Sequence, residues 1–413
     1  MGNIVVHSLA CGMPLIIERM EGVKSAAISW ILPAGAAFDP PEKQGMAAMW
    51  GELLMRGAGS MDSREQADAF DKLGAGRSSE VGVQVLRIGG TMLGAGVAGA
   101  LPLLVDMAIK PRMDYDAIDP ARELALAAIE SVQDDPQERA SLLLRERHHA
   151  DPLSRSGLGT VEGLNSIERE DLVMGWKACC KPEQSIFSIA GDVDPKAVVD
   201  QLESLLHGWS GGVSETPMGK TPARGYAHCE DETNQVQILL AHDAPSEANA
   251  DSLLEKFVIS VLSGGMAGRL FTEVREKRGL CYSVNAGYRG DKTFGVVSAY
   301  VGTSPERAQE SIDVLWEQLA RLSTPEGAIT PAEFGRAKVG MKSSVVFAGE
   351  STGARAASLG SDQRRLGRPR SLEEIAKAID EVTLEQVNDY LGRRETGKLT
   401  IQTLGPKALK PPV

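Results

Sequence analysis

The chain passes twice through one succession of elements, and this repetition limits its fold more than any other feature. In the first half an alternating run over residues 81–88 predicts a strand, Gly-rich turn residues follow, and Leu103, Leu104, Val105 and Ile109 recur at helical spacing. Another helix is predicted to open at Asp119-Pro120, a capping residue before a Pro whose missing N–H costs nothing in a first turn. In the second half residues 295–301 give the strand and Ser304-Pro305 the turn. Ile312, Leu315, Trp316 and Leu319 give the helix, and Thr330-Pro331 the capped start of the next. Repetition on this scale predicts a duplicated unit. Residues 210–217 are small, polar and turn-rich, so the expected domains are 1–212 and 213–413. Strands and helices do not alternate strictly, which predicts the α+β class: two homologous domains, each an antiparallel sheet with helices packed on one face. A pair of unrelated mixed domains is the alternative.

Charge narrows the partners. With 44 Lys+Arg against 56 Asp+Glu the net charge is -12, which argues against a nucleic-acid or anionic-membrane surface and favours a cationic peptide. The start carries no basic segment followed by a long apolar run, and no apolar stretch elsewhere is long enough to span a bilayer. A cytoplasmic protein is expected, or an exported one if a leader has been trimmed. The five Cys, with no Cys-x-x-Cys pair, read as free thiols in a reducing compartment, and the six His show no i, i+4 pairing.

Residues 42–56 read as a helix whose apolar face is Met46, Trp50, Leu53 and Leu54 and which ends at Gly57. Gly51 inside it costs about 1 kcal/mol relative to Ala. It marks either an emptied active-site helix approached by another chain or tight packing on a neighbouring element. Together with the strand-and-turn opening over residues 25–40, this segment resembles the N-terminal half of the pitrilysin, insulin-degrading enzyme and mitochondrial processing peptidase family. In that family the helix carries an inverted zinc motif, His-x-x-Glu-His. The resemblance puts those places at Ala48, Gly51 and Glu52, which cannot supply the ligands and the base. The family's third ligand is a Glu on a later helix. Anchoring on Arg122 and Pro136 puts its place at Ala128, while a register shifted by two puts it at Glu130, where Glu52 and Glu130 could hold a hard cation or stand as two ordinary solvated carboxylates. No metal is therefore expected in this chain.

Residues 262–284, with Gly264-Gly265, Arg269-Leu270-Phe271 and Gly279-Leu280-Cys281-Tyr282, resemble the family's C-terminal signature. There an Arg and a Tyr seven residues later face the substrate, and the resemblance puts them at Arg275 and Tyr282. Guanidinium and phenol both donate hydrogen bonds, to a peptide carbonyl and to its oxyanion. Standing alone, the two residues would read as a solvated helix charge and an ordinary strand residue. Further likeness at residues 158–163, 167–172 and 189–194 extends the match from about Leu9 to Leu404. The stretch with Arg77, Ser78 and Ser79 occupies the family's edge-strand place, where a peptide adds as a further strand; its Gly and Ser also suit a plain loop. Some family members are heterodimers in which one chain holds His-x-x-Glu-His and the other only the Arg/Tyr pair. The resemblance thus implies a non-catalytic, substrate-binding subunit of a zinc metalloendopeptidase that acts on peptides, with the zinc in the partner subunit and no cofactor here. A catalytically dead peptide-binding or assembly protein of the same fold is the alternative. An independent hydrolase has no Gly-x-Ser-x-Gly or Cys/His arrangement to support it.

Overall fold

The structure, a computed structural model, describes residues 3–214 and 216–412. The chain forms two compact units, neither continuous in sequence. The first comprises Met1–Ser131, Asp151–Gly219 and Ala348–Ser371, the second Val132–Ala150, Lys220–Phe347 and Leu372–Val413. The mid-chain crossing at Gly219 and Lys220 lies a few residues beyond the expected 212/213 division. The other crossings carry one helix from each half of the sequence into the unit built mainly by the other half.

In the first unit the strands β1 (Asn3–Ser8), β2 (Pro14–Arg19), β3 (Ser25–Leu32), β6 (Gly76–Val81), β7 (Leu86–Leu93) and β8 (Ile186–Gly191) form a sheet ordered β1-β2-β8-β3-β7-β6. A small hairpin, β4 (Gly57–Ala58) and β5 (Met61–Asp62), stands apart. All pairings in the sheet are antiparallel except β2 with β8. The helices are α1 (Met46–Leu53), α2 (Ser63–Lys72), α3 (Val97–Ile109), α4 (Tyr115–Ser131), α6 (Val161–Ser166), α7 (Arg169–Cys179), α8 (Pro195–Leu205) and α12 (Thr352–Leu366). The central strands β3 and β8 are buried almost without interruption, which requires cover on both faces of the sheet. Leu15, Ile17, Ile28, Trp30 and Ile189 enter the main core with α1, α3 and α7. The alternate residues Ile16, Ala27, Ile31, Ile186 and Ala190 pack against Ala356 and Leu359 of α12. Close approach of that helix depends on Gly360, where a Cβ would meet Ser188 Oγ at 2.8 Å and Ile31 Cδ1 at 3.2 Å. A buried ion pair between Arg355 and Glu18 holds it as well.

The second unit repeats the plan. Its strands β9 (Tyr226–Glu230), β10 (Val236–Ala244), β11 (Cys281–Gly290), β12 (Gly295–Thr303) and β13 (Thr400–Gly405) are ordered β11-β12-β10-β13-β9, with β9 and β13 the parallel pair. Leaving out β1, the first sheet's β2-β8-β3-β7-β6 maps strand for strand onto β9-β13-β10-β12-β11, parallel pair onto parallel pair. The helices are α5 (Pro136–His148), α9 (Ser252–Ser263), α10 (Ala308–Arg321), α11 (Pro331–Gly349), α13 (Leu372–Glu381) and α14 (Leu384–Arg393). Val236, Ile238, Leu240 and Val301 enter a core with α9, α10 and α14, while Leu239, Ala241, Tyr300 and Leu404 face Ala140 and Leu144 of α5. Helix α5 thus covers the second sheet as α12 covers the first, so each sheet is covered on both faces and not on the one expected, and each holds one parallel pair among antiparallel ones.

Three local expectations are corrected. The strand expected over residues 81–88 straddles a hairpin: β6 ends at Val81, Gly82 N–H donates to Val85 O at 2.8 Å, and β7 begins at Leu86. Alternation continues through this turn, and the tip is held by Ala36 N–H to Gly82 O and Ala37 N–H to Val83 O, contacts distant in sequence. Helix α4 opens at Tyr115, so Pro120 lies inside it, where its missing N–H forgoes a bond to the Asp116 carbonyl. Pro331, by contrast, does open α11, with Thr330 and Glu333 bonded to each other's backbone N–H. The helix expected over residues 42–56 is a short 3-10 turn, Pro41–Lys43, followed by α1. Gly45, at φ 122, separates the two. No helix among the described residues is long and apolar enough to cross a membrane.

Candidate functional site

The segment that carries Arg275 begins where α9 stops and is anchored by apolar residues. Leu270, Val274 and Leu280 are buried in the second unit's core. The Arg269 guanidinium grips Glu333 at 2.7 and 2.9 Å and the carbonyls of Gly327 and Ala328 at 2.7 and 3.0 Å. Burial works against the charge on Glu333, yet bonds from Arg269 and Thr330 hold its carboxyl down at about 2. Between these anchors Phe271–Glu276 is a π-helical turn, with Lys277 N–H donating to Thr272 O at 3.0 Å, five residues back. Such turns are rare and frequently sit at functional sites. Gly279, at φ 60, turns the chain out of it, and Leu280 N–H bonds back to Val274 O at 3.0 Å.

The chain then enters β11 at the edge of the sheet through a bulge. Cys281 pairs with Thr303 and Ser283 with Gly302, so Tyr282 is the extra residue. Its side chain is 81% exposed, which leaves the phenol free to meet a ligand. The Arg275 guanidinium lies 5.0 Å from the Tyr282 ring centroid and 4.8 Å from that of Phe271. Glu273, the carboxylate two residues away, is taken by Lys277 at 2.7 Å and Arg278 at 2.9 Å. Among the described residues no ion pair neutralises Arg275. The expected pair is therefore brought together as two adjacent donors, suited to a carbonyl or to an oxyanion developing from it. Burial, which favours the protonated form, pushes the neighbouring Cys281 thiol up to about 11 despite the nearby Arg275.

The places matched to the zinc motif lie on α1 in the first unit. Asp39 fastens the start of this helix, accepting from Gly45 N–H at 2.8 Å and Ala47 N–H at 3.0 Å. Ala48 packs against the core, and the Glu52 carboxylate accepts from Arg56 Nε at 2.7 Å. A Cβ on Gly51 would stand 2.7 Å from Val81 Cγ2, which favours the packing reading of this glycine. Ala128 lies on α4 and Glu130 is exposed there, while Arg122 donates to the carbonyls of Ile167 and Leu164. Among the described residues no group of three or more His, Cys, Asp or Glu is arranged to hold a metal.

Arg77, Ser78 and Ser79 lie on β6, which is a true strand at the edge of the first sheet. Arg77 stacks on Phe70 at 4.9 Å, and burial lowers its pKa. In the duplicated plan β6 and β11 are equivalent edges. The sequence reading missed Phe271 as a partner of Arg275, although the i, i+4 spacing was available as a signal.

The fold agrees with the comparisons with known proteins. Residues 15–161 match the family described as insulinase (peptidase family M16), and residues 166–341 match the peptidase M16 inactive domain. The chain belongs to peptidase family M16. The first M16 match contains Ala48, Gly51 and Glu52, and the second contains Arg275 and Tyr282. An uncharacterized zinc protease of Bacillus subtilis is 25% identical over 407 residues, covering 97% of this chain and 98% of the relative. A crystal structure of a peptidase M16 inactive domain from Pseudomonas fluorescens shares the fold with a TM-score of 0.86 and 23% identity, covering 99% of each chain. A protease from Helicobacter pylori is similar in fold at a TM-score of 0.87 and 14% identity, covering 98% of this chain and 100% of its own.

Proposed function

We propose that this M16 chain is the non-catalytic, substrate-binding subunit of a heterodimeric zinc endopeptidase acting on peptides. The observation that carries the proposal is the Arg275–Tyr282 pair, the guanidinium of the π-helical turn lying 5.0 Å from the exposed ring of the bulge. A packing role asks for neither an exposed phenol nor an uncompensated guanidinium. A zinc-bearing M16 subunit supplies the metal, its ligands and the general base, because Ala48, Gly51 and Ala128 offer no donor side chains and Glu52 is paired with Arg56. This chain contributes two donors to the peptide carbonyl. Edge strand β6, with Arg77, Ser78 and Ser79, offers backbone groups for an added peptide strand. Five free cysteines suit a reducing cytoplasm.

Purification of the chain alone and with a co-expressed zinc-bearing M16 relative, followed by metal analysis and assays on unstructured peptides, tests the reading. The expected result is zinc and cleavage only in the two-chain complex. One tightly held zinc per chain and peptide cleavage by the isolated protein would overturn it. A stable complex without cleavage would favour the assembly-protein alternative.

A further inference from the structure

We infer that Phe271 is a positioning residue: its ring fixes the plane and direction of the Arg275 guanidinium so that the guanidinium's free N–H groups meet the peptide carbonyl together with the Tyr282 hydroxyl. The inference rests on the subunit reading above and deepens its account of that site. Among the described residues no carboxylate pairs with Arg275, and Glu273 is occupied by Lys277 and Arg278. A long side chain without such a partner retains several rotamers, and ordering them on binding costs free energy. Two rings flank the guanidinium in this structure, Phe271 at 4.8 Å and Tyr282 at 5.0 Å. They are not equivalent walls. Tyr282 is 81% exposed and is itself a proposed ligand of the substrate, whereas Phe271 is half-buried and shares the π-helical turn with Arg275. That turn is anchored by buried Leu270 before it, Val274 within it and Leu280 after it, so the Phe271 ring stands on a fixed base. Stacking on an aromatic face constrains the guanidinium plane while leaving its edge N–H groups available to hydrogen-bond.

Two measurements test this. In the isolated chain labelled with 15N-arginine, the Arg275 Nε–H resonance, assigned by its loss in Arg275→Lys, should be shifted by the flanking rings. That shift should diminish in Phe271→Leu and persist in Phe271→Tyr. In the two-chain complex with a quenched-fluorescence peptide, Phe271→Leu should lower kcat by about tenfold or more with a smaller change in KM, as misplacement of a reacting group does. Phe271→Tyr should restore turnover, and Phe271→Leu should add almost nothing to the defect of Arg275→Lys. A normal Arg275→Lys defect beside wild-type turnover in Phe271→Leu, or equal losses from Phe271→Leu in both backgrounds, would overturn the positioning role alone. Wild-type turnover in Arg275→Lys would overturn the subunit reading and the inference with it.

Discussion

A Cβ added to Gly51 would stand 2.7 Å from Cγ2 of Val81 and 3.7 Å from Oγ of Ser79, so α1 meets the edge strand β6 where it lacks a side chain. Gly51→Ala therefore sets two effects against each other. Ala improves helix propensity by about 1 kcal/mol, while overpacking a stiff β-branched neighbour costs roughly 1–3 kcal/mol. The clash should win, lowering stability by about 1 kcal/mol in urea denaturation. In a Val81→Ala background the same change should become stabilising. A higher midpoint for Gly51→Ala alone would show that the contact does not constrain α1.

Restoring the family's motif should fail for the same reason. The triple change Ala48→His, Gly51→Glu and Glu52→His drives a larger side chain at position 51 toward Val81, removes Arg56's carboxylate partner and leaves Ala128 without a donor. Metal analysis after dialysis should find well under one zinc per chain. Full zinc occupancy would mean that the helix and strand separate readily.

The duplication was legible because its signals are local: turns and apolar periodicity recur in both halves, although of the two expected caps only Thr330-Pro331 opens its helix. The hairpin between β6 and β7 was not, because Val81, Val83 and Val85 keep alternating through a turn fixed by backbone bonds to Ala36 and Ala37. The exchange of α5 and α12 was equally hidden. Nothing in Ala356 or Leu359 says which sheet they cover, and only the uninterrupted burial of β3 and β8 calls for a second layer. Arg275 and Tyr282 were singled out as candidates only through the family signature. The π-helical turn and bulge that join them depend on long-range packing of Leu270, Val274 and Leu280.

The exchanged helices predict an unusual outcome of limited proteolysis. Pro217 to Thr221 is exposed and outside regular structure, so trypsin should cut first after Lys220. The two fragments should then stay together through size-exclusion chromatography without denaturant. Each unit contains a helix supplied by the other fragment, α5 against Leu239 and Tyr300, and α12 against Ile31 and Ala190. Separation into two independently folded fragments would count against those packings.

Mild acid should loosen the second unit before the first. Burial lowers His242 to about 4, helped by Arg394; burial, Arg224 and His149 lower His148 to about 3; burial with Arg145, Arg224 and Arg289 lowers His149 to about 4. These folded values lie below the ordinary 6.5, so their stabilisation is complete above pH 6.5 and is lost as pH falls toward 4. For His242 that loss is about 1.4 kcal/mol per pH unit. Asp39 in the first unit acts oppositely, because burial raises it to about 7 against the N–H groups of Gly45 and Ala47. Its contribution is complete below its ordinary value near 4 and is lost as pH rises through 7. Hydrogen exchange compared at pH 7.5 and 5, corrected for intrinsic rates, should show acid-induced opening at the end of α5 and along β10, with α1 still protected. Earlier opening of α1 would reverse the assignment.

The last prediction concerns the paired donors. Tyr282→Phe removes only the hydroxyl, and since the side chain is 81% exposed the change should leave thermal stability unaltered. Arg275→Lys keeps the charge but loses the planar surface that stacks on Phe271 and Tyr282 at 4.8 and 5.0 Å. If both groups donate to an oxyanion, each change should cost on the order of a hundredfold in kcat, roughly 3 kcal/mol, in the complex with the zinc-bearing subunit. Assembly should survive, because neither change removes an ion pair or a buried side chain from this chain's fold. The two losses should also be less than additive, since each donor leaves the other misplaced against the same oxygen. A doubly changed complex that still cleaves peptide at the wild-type rate would remove these residues from catalysis and leave the chain an assembly protein on an M16 fold.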